Sequence, residues 1–140
     1  MAKQYQAMMA ELIQAIADTV IIDGSQFNAV WQEVQTWNEI TFLLHPVNII
    51  AQFSGALPAG KKGAGYFNLQ HNQGFNGHIC TQNCVYIAFV VRSFMLMVTA
   101  AIIFLNRQGE TMFKIFVGRD KKRPLKAERL SSLAQHFGSA

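Results

Sequence analysis

Residues Gly65–Ile79, with the sequence GYFNLQHNQGFNGHI, predict a β-hairpin around which the rest of the chain can be organised. Tyr66–Leu69 is a short β-prone run. The Asn and Gly residues between positions 72 and 77 supply turn chemistry, because both residue types tolerate positive φ. His78 then opens a second extended segment, His78–Thr81, directly after a glycine. A histidine that begins a strand lies at a sheet rim, where its imidazole can face a cavity, so His78 is the first candidate for a ligand to a metal or cofactor.

The composition indicates one domain, residues 1–140, with more apolar surface than it can easily bury. The chain has 140 residues, of which 51% are hydrophobic and only 14% are charged. Soluble proteins average about 25% charged residues. A chain of this length has room for a real core. The apolar excess predicts an oligomer interface, an apolar ligand cavity, or both.

The net charge of +4 is mild, and the positive residues cluster at Lys61–Lys62 and between Arg119 and Arg129. A basic cluster can attract nucleic acid, anionic lipid or a ligand that carries carboxylates. A solvated basic surface is the simpler explanation. We therefore expect no nucleic-acid partner.

The N-terminal residues and the cysteines favour a cytoplasmic protein. Met1–Lys3 leads into a polar, Gln-rich stretch without the continuous apolar segment of a secretory signal. Cys80 and Cys84 are too few for a disulfide framework, and no second Cys pair or close Cys/His set accompanies them to form a zinc site. We interpret both as reduced core thiols.

One apolar stretch, Val85–Leu105, is about as long as the ~20 residues that a membrane-spanning helix needs. Arg92 interrupts it, and its residues are largely Val, Ile, Phe and Tyr, which favour strands. We predict two buried strands with a turn near Met95–Thr99, and we expect no membrane insertion. A single spanning helix is the alternative.

Hydrophobic spacing predicts an α+β fold in which helices pack on a large antiparallel sheet. Spacings of three and four indicate an N-terminal helix pair, Gln4–Ala17 and Gln26–Thr36, and a C-terminal helix, Lys126–Phe137. Ser25 is the predicted N-cap of the second helix. Short connections between β-prone segments predict antiparallel pairing of seven or eight strands. The predicted strands are Ile40–His45, Val47–Phe53, Tyr66–Leu69, His78–Thr81, Val85–Val91, Ala100–Leu105 and Thr111–Val117, with an extended link at Val20–Ile22, a loop at Ser54–Gly63 and a turn at Asn106–Gly109.

No motif in the sequence indicates an enzyme. It contains no HExxH or P-loop, no dinucleotide fingerprint, no nucleophile elbow, and no carboxylate pair that stands out for acid–base chemistry. His45 ends an apolar strand and His78 begins one, and a histidine in either position is more often a hydrogen-bonded structural residue than a ligand. The residues favour a binding protein whose cavity has apolar walls, rim histidines and nearby cations. That set suits haem, which has an apolar macrocycle, an iron that takes imidazole and two propionates, although an aromatic-rich core gives the same composition.

Four segments of the chain form a recognisable set. They are VIIDGSQFNAVWQEVQTW (20–37), FSGALPAGKKGAGYFNL (53–69), GHICTQNC (77–84) and FKIFVGRDKKRPL (113–125). Together they resemble the small intracellular haem-utilisation carriers of Gram-negative bacteria, the HutX/ChuX/HugX family, from about Val20 to the C-terminus. The IAFVVR and VGRD segments are also similar to one half of the larger, two-repeat HemS-type haem proteins.

The resemblance implies a pair of packed helices on a large antiparallel sheet, in a homodimer whose two sheets mimic the two-repeat relatives. It implies a cytoplasmic protein that binds haem (haem b) and passes it to a storage or haem-degrading protein. The family's proposed haem histidines fall on His78, as the iron ligand, and on His45, as a second ligand or a pocket histidine. Lys61, Lys62 and Arg119 are then candidate partners for the haem propionates.

The sequence departs from the family in the segment Phe94–Thr99. Leu96 and Val98 replace a small Gly and a polar acidic residue, so this segment is unusually apolar and belongs either to the dimer interface or to the ligand site. Two rival functions stay open beside the carrier. One is an enzyme, or an enzyme partner, in haem breakdown and ring opening, and the other is a structural dimer that binds no cofactor. We expect a carrier and no enzymatic activity.

Overall fold

The computed structural model describes residues 18–37, 39–72, 74–94, 97–117 and 135–136. These residues form a six-stranded antiparallel sheet in the order β1-β7-β8-β9-β2-β3 and a three-stranded antiparallel sheet in the order β4-β5-β6. The elements are β1 (Asp18–Asp23), helix α1 (Phe27–Gln35), β2 (Ile40–Leu44), β3 (Ala51–Gly55), β4 (Gly60–Gly63), β5 (Tyr66–Asn72), β6 (Phe75–Ile79), β7 (Tyr86–Phe94), β8 (Met97–Leu105) and β9 (Thr111–Val117), with 3-10 turns at Gly24–Gln26 and Thr81–Asn83.

The long apolar stretch forms two paired strands of the large sheet, β7 and β8, whose pairing runs from Tyr86 opposite Leu105 to Phe94 opposite Met97. Ile87 and Phe89 face the main core, whereas Ala88 and its neighbours on the opposite face belong to a second buried cluster. Burial on both faces explains why this sequence is almost continuously apolar. The alternative of one spanning helix is wrong, and no helix in the described ranges is long and apolar enough to cross a membrane.

Helix α1 packs on the large sheet through the face that its spacing predicts. The exposed fractions of Phe27, Val30, Trp31 and Val34 are all 2% or less. The predicted cap is wrong, because the Asp23 carboxylate accepts a hydrogen bond from the Ser25 amide at 2.8 Å and begins the 3-10 turn that leads into the helix. The sequence therefore predicts the helix correctly but places its start at the wrong residue.

An aromatic cluster joins α1 to both sheets. Phe67 of β5 packs edge-on against Phe27 at 5.3 Å and against Trp31 at 5.5 Å between ring centroids. Phe104 and Phe113 of the large sheet stack on each other at 4.3 Å, and Phe27 contacts both. The small sheet is thus held from behind by the same core that anchors the helix.

The chain between β2 and β5 differs from the prediction. Strand β3 begins at Ala51 instead of Val47, and residues 45–50 form an exposed connection. Gly60–Gly63, predicted as part of a loop, is strand β4 and pairs with β5. Its Gly and Lys residues have low β propensity. The conformation comes from the two-residue turn Ala64–Gly65, where φ is +52° and +82° as in a type I′ hairpin.

The structure confirms an α+β fold with a large antiparallel sheet. Among the described residues, α1 is the only α-helix longer than two residues. The predicted helix Gln4–Ala17 lies outside the described residues. So does Lys126–Phe137, except for Gln135 and His136, which are helical. The extended link Val20–Ile22 is instead part of β1, which pairs with β7 at one edge of the large sheet.

Candidate functional site

The predicted hairpin is present as β5 and β6, but its turn is tighter than the sequence suggested. Gly74, with φ of +87°, allows the turn, and β6 begins at Phe75. His78 is therefore the fourth residue of β6, and the prediction that it begins a strand is wrong. Asn76 and Gly77, predicted as turn residues, extend the strand instead. Because β6 is an outer strand of the small sheet, His78 is still exposed.

Three side chains form a row across the small sheet. Lys61 of β4 lies opposite Asn68 of β5, and Asn68 lies opposite His78 of β6. Directly opposed residues of antiparallel strands project to the same face, so we call Lys61, Asn68 and His78 the polar row. Lys62 lies opposite Phe67 and therefore belongs to the other face of the sheet. Of the two adjacent lysines, only Lys61 shares the face of His78.

The imidazole of His78 is held by two neighbours from β5. Its Nδ1 lies 2.6 Å from Oδ1 of Asn68. The ring of Tyr66 lies 6.0 Å from the His78 ring in an edge-on arrangement. Asn68 is fixed in turn, because its Nδ2 donates a hydrogen bond to the carbonyl oxygen of Gly63 at 3.0 Å. The contact at Nδ1 leaves Nε2, on the far side of the ring, as the nitrogen available to a ligand.

The opposite face of the small sheet packs onto the core. Phe67 is buried, and Leu69 and Ile79 are partly buried against the main apolar cluster. Phe75, at the start of β6, contacts Phe42 at 5.0 Å and Phe53 at 4.4 Å between ring centroids, so it joins β6 to the large sheet. These contacts fix the backbone beneath the polar row.

His45 lies in a different setting, immediately after β2 of the large sheet. It is exposed, and it opens the connection 45–50. Large apolar side chains surround it in sequence and are also exposed. Their exposed fractions are 39% for Leu44, 69% for Val47, 58% for Ile49 and 60% for Ile50. Strand β2 ends at Leu44, one residue before the predicted end at His45, and the strand predicted to begin at Val47 begins at Ala51. Pro46 and Asn48, between them, are residues typical of turns.

The remaining predicted residues do not join the polar row. Arg119 lies outside the described residues. Cys80 is partly buried and Cys84 is buried, and both are free thiols, as predicted. Burial raises the pKa of the Cys84 thiol to about 11. A polar cavity of about 380 Å³ contains none of the predicted site residues, and its lining is Gln82, Asn83, Val85, Asn106, Arg107 and Gln108.

The donor set does not resemble a site for a bare metal ion. In the described part of the chain, no three His, Cys, Asp or Glu side chains are close enough to hold one. A single exposed imidazole suits a metal that already carries most of its ligands, and the iron of a porphyrin is such a metal. The side chains present therefore fit haem better than a free cation.

Residues 20–133 match the family model described as haem utilisation ChuX/HutX. The chain belongs to this family. Among its relatives, the intracellular heme transport protein HutX of Vibrio cholerae is 29% identical over 134 residues, which cover 94% of this chain and 69% of HutX. These matches confirm the family resemblance that the four sequence segments indicated.

Solved structures of the ChuX/HutX family agree with this assignment. A structure described as the heme-binding protein ChuX is 39% identical, with a TM-score of 0.84 over 96% of this chain and 87% of that one. The heme-degrading enzyme ChuS of Escherichia coli O157:H7 is 12% identical, with a TM-score of 0.70 over 82% of this chain and 35% of that one. The likeness to ChuS concerns the fold alone, and it agrees with the expected similarity to part of a larger protein.

Proposed function

We propose that this protein is a cytoplasmic haem carrier, which binds haem b and hands it on during the utilisation of haem iron. The polar row is the observation that carries the proposal, because it combines an exposed imidazole with a cation on one rigid face. Membership of the haem-utilisation family supports the same cargo. So do the names of HutX as a transport protein and of ChuX as a binding protein.

In this proposal the haem iron binds Nε2 of His78. A porphyrin iron has an axial position for imidazole, and the hydrogen bond at Nδ1 leaves Nε2 available. His45 is the second ligand or a pocket histidine. His45 is exposed on the connection that follows β2, so its imidazole is accessible to haem that binds from solution.

Lys61 is the propionate partner that the polar row favours. Two strand spacings of about 4.8 Å each separate it from His78, a distance comparable with that from a haem iron to a propionate group at the rim of the macrocycle. Lys61 is exposed, so its ammonium group can reach a carboxylate above the sheet. Lys62 and Arg119 are further candidates, and Lys62 lies on the opposite face.

The exposed apolar side chains of residues 44–50 support the remaining parts of the proposal. Covering Leu44, Val47, Ile49 and Ile50 removes apolar surface from water, which is favourable by roughly 25 cal/mol per Å². The apolar face of a porphyrin, or a second copy of the chain in a homodimer, provides such a cover. Light scattering with and without haem measures the oligomeric state directly.

An exposed site is appropriate for a carrier. His78 and Lys61 are both exposed, so bound haem stays accessible to an accepting or haem-degrading protein. We expect haem to move from the loaded protein to apomyoglobin, and we expect it to survive ascorbate intact when catalase removes peroxide. An open-tetrapyrrole absorbance under those conditions would support an enzyme instead, and a protein that gives no Soret shift with haem would be neither.

A further inference from the structure

We infer that Asn68 is a positioning residue that keeps the imidazole proton of His78 on Nδ1 and so presents Nε2 as the ligand nitrogen. The inference deepens the proposed function and rests on it for the identity of the ligand. The tautomer itself is a property of the protein without haem. The two ideas can therefore be tested separately.

The orientation of the Asn68 amide follows from its two contacts. One end of the amide lies 3.0 Å from the carbonyl oxygen of Gly63, and the other lies 2.6 Å from Nδ1 of His78. A backbone carbonyl oxygen only accepts hydrogen bonds, so the atom facing Gly63 must be the NH₂ group. The carbonyl end of the amide consequently faces His78. This assignment holds even though the two ends of an amide look alike at ordinary resolution.

The orientation of Asn68 decides the tautomer of His78. The Asn68 Oδ1 atom has lone pairs and no proton, so a hydrogen bond of 2.6 Å requires a proton on Nδ1 of the imidazole. A neutral imidazole has one N–H group. Its other nitrogen, Nε2, therefore carries a lone pair.

This tautomer matters for ligation because a metal binds through a ring nitrogen that has no proton. Histidine in solution favours the proton on Nε2, so an unrestrained ring must exchange tautomers before Nε2 can bind iron. Metal-ligating histidines usually donate their other N–H to an acceptor, which fixes the ring orientation and raises ligand basicity. Asn68 supplies that acceptor in advance, and Tyr66 limits ring rotation from the side.

The local sequence creates the space that this arrangement needs. A Cβ atom at Gly63 would lie 3.2 Å from Nδ2 of Asn68, a tight contact at the point where the amide meets the Gly63 carbonyl. The Ala64–Gly65 turn then sets Gly63 opposite Tyr66 and Lys61 opposite Asn68. Gly63, Asn68 and His78 therefore act as one hydrogen-bonded chain across the three strands.

The test measures the tautomer in ¹⁵N-labelled protein without haem, from long-range ¹H–¹⁵N correlations of the histidine rings at alkaline pH. A His78→Ala spectrum identifies the His78 signals. We expect the parent protein to show a protonated Nδ1 and an unprotonated Nε2. Asn68→Val, whose β-branched side chain suits a strand, shifts the ring towards the Nε2-protonated form. Asn68→Asp keeps an acceptor beside Nδ1 and favours the Nδ1-protonated form, but it loses the donor to the Gly63 carbonyl, so it should restore the parent tautomer less fully than Asn68 itself. Gln70→Leu is the control for losing an exposed amide on the same strand.

Haem titrations of the same variants connect the tautomer to ligation. We expect Asn68→Val to bind haem about 10-fold or more weakly, as for other residues that orient a metal ligand, with a smaller loss in Asn68→Asp. If Asn68→Val does not fold, Asn68→Ala replaces it.

An unchanged His78 tautomer in Asn68→Val, or in Asn68→Ala where that variant replaces it, would overturn the inference and leave the proposed function standing. A changed tautomer with unchanged haem affinity would overturn the link to ligation. By contrast, haem binding that is unaffected in His78→Ala contradicts the proposed function itself, whatever the tautomer.

Discussion

The indole Nε1 of Trp31 donates a buried hydrogen bond to the carbonyl oxygen of Pro58 at 2.8 Å. This bond joins helix α1 to the chain just before β4, the first strand of the small sheet. The Trp31 ring also packs edge-on against Phe67 of β5. Helix α1 therefore fixes the small sheet at two points, and the polar row is built on that support.

Replacing Trp31 tests how much this bond contributes to stability. Trp31→Phe leaves the Pro58 carbonyl unpaired in the core, which should cost about 1–3 kcal/mol of unfolding free energy beyond the loss of ring volume. Trp37→Phe is a matched control, because Trp37 is also buried and its Nε1 has no hydrogen-bond partner among the described residues. Urea unfolding measures both, and equal losses in the two variants would contradict the assigned role.

The β4–β5 turn offers a stabilising substitution. Ala64 has φ of +52°, a conformation that disfavours residues with a Cβ, whereas Asn-Gly is the preferred pair in a type I′ turn. We expect Ala64→Asn to raise the unfolding free energy by about 0.5–1 kcal/mol. Ala56→Asn, at an exposed position with ordinary φ, is the control. A thermal melt in which both substitutions have the same effect would refute the strain at Ala64.

The buried Cys84 thiol predicts a loss of stability at alkaline pH. Its pKa in the folded protein is raised to about 11 from an ordinary value of 9.0, so the folded state holds the thiol proton more tightly than the unfolded chain does. The unfolding free energy should therefore fall as pH rises from about 9 towards about 11. We expect a shallower fall in Cys84→Ala than in the parent protein. Parallel curves over that range would argue against the raised pKa.

Adjacent lysines provide a direct test of the polar row. Lys61→Gln removes the cation on the His78 face, and Lys62→Gln removes one on the opposite face. An exposed charge pair contributes about 0.2–1 kcal/mol, so Lys61→Gln should weaken haem binding by roughly 1.4- to 5-fold, and less at high salt. Lys62→Gln should stay near the parent. A larger effect at Lys62 would place the propionates elsewhere.

Periodicity predicted the elements whose burial is regular. The apolar face of α1, the extent of β9 and the pair β7–β8 all follow from spacing or from continuous apolar sequence, because burial is what those patterns record. Strand β4 was not predicted, because its Gly and Lys residues show no alternation of apolar and polar side chains. Its backbone is set by the turn that follows and by Phe67, whose ring would clash with any Cβ at Gly60.

The candidate site was predicted only in part, for a related reason. His78 was identifiable as a turn-flanking histidine, but its contact with Asn68 joins residues on different strands. That contact depends on the register of β5 with β6, which shifts between Leu69 and Asn72. The choice of Lys61 over Lys62 likewise depends on register, since a slip of one residue exchanges the two faces. Sequence spacing alone does not determine either.

The central claim is that haem binds through His78, and a haem titration followed by the Soret band tests it most directly. The measurement compares the parent protein with His78→Ala, His45→Ala and, as a control at another exposed histidine, His136→Ala. We predict a saturable Soret band in the parent and in His136→Ala, and a band that is lost or shifted in His78→Ala and recovers when imidazole is added. An identical band and affinity in the parent and His78→Ala, or no band in the parent, would contradict the account.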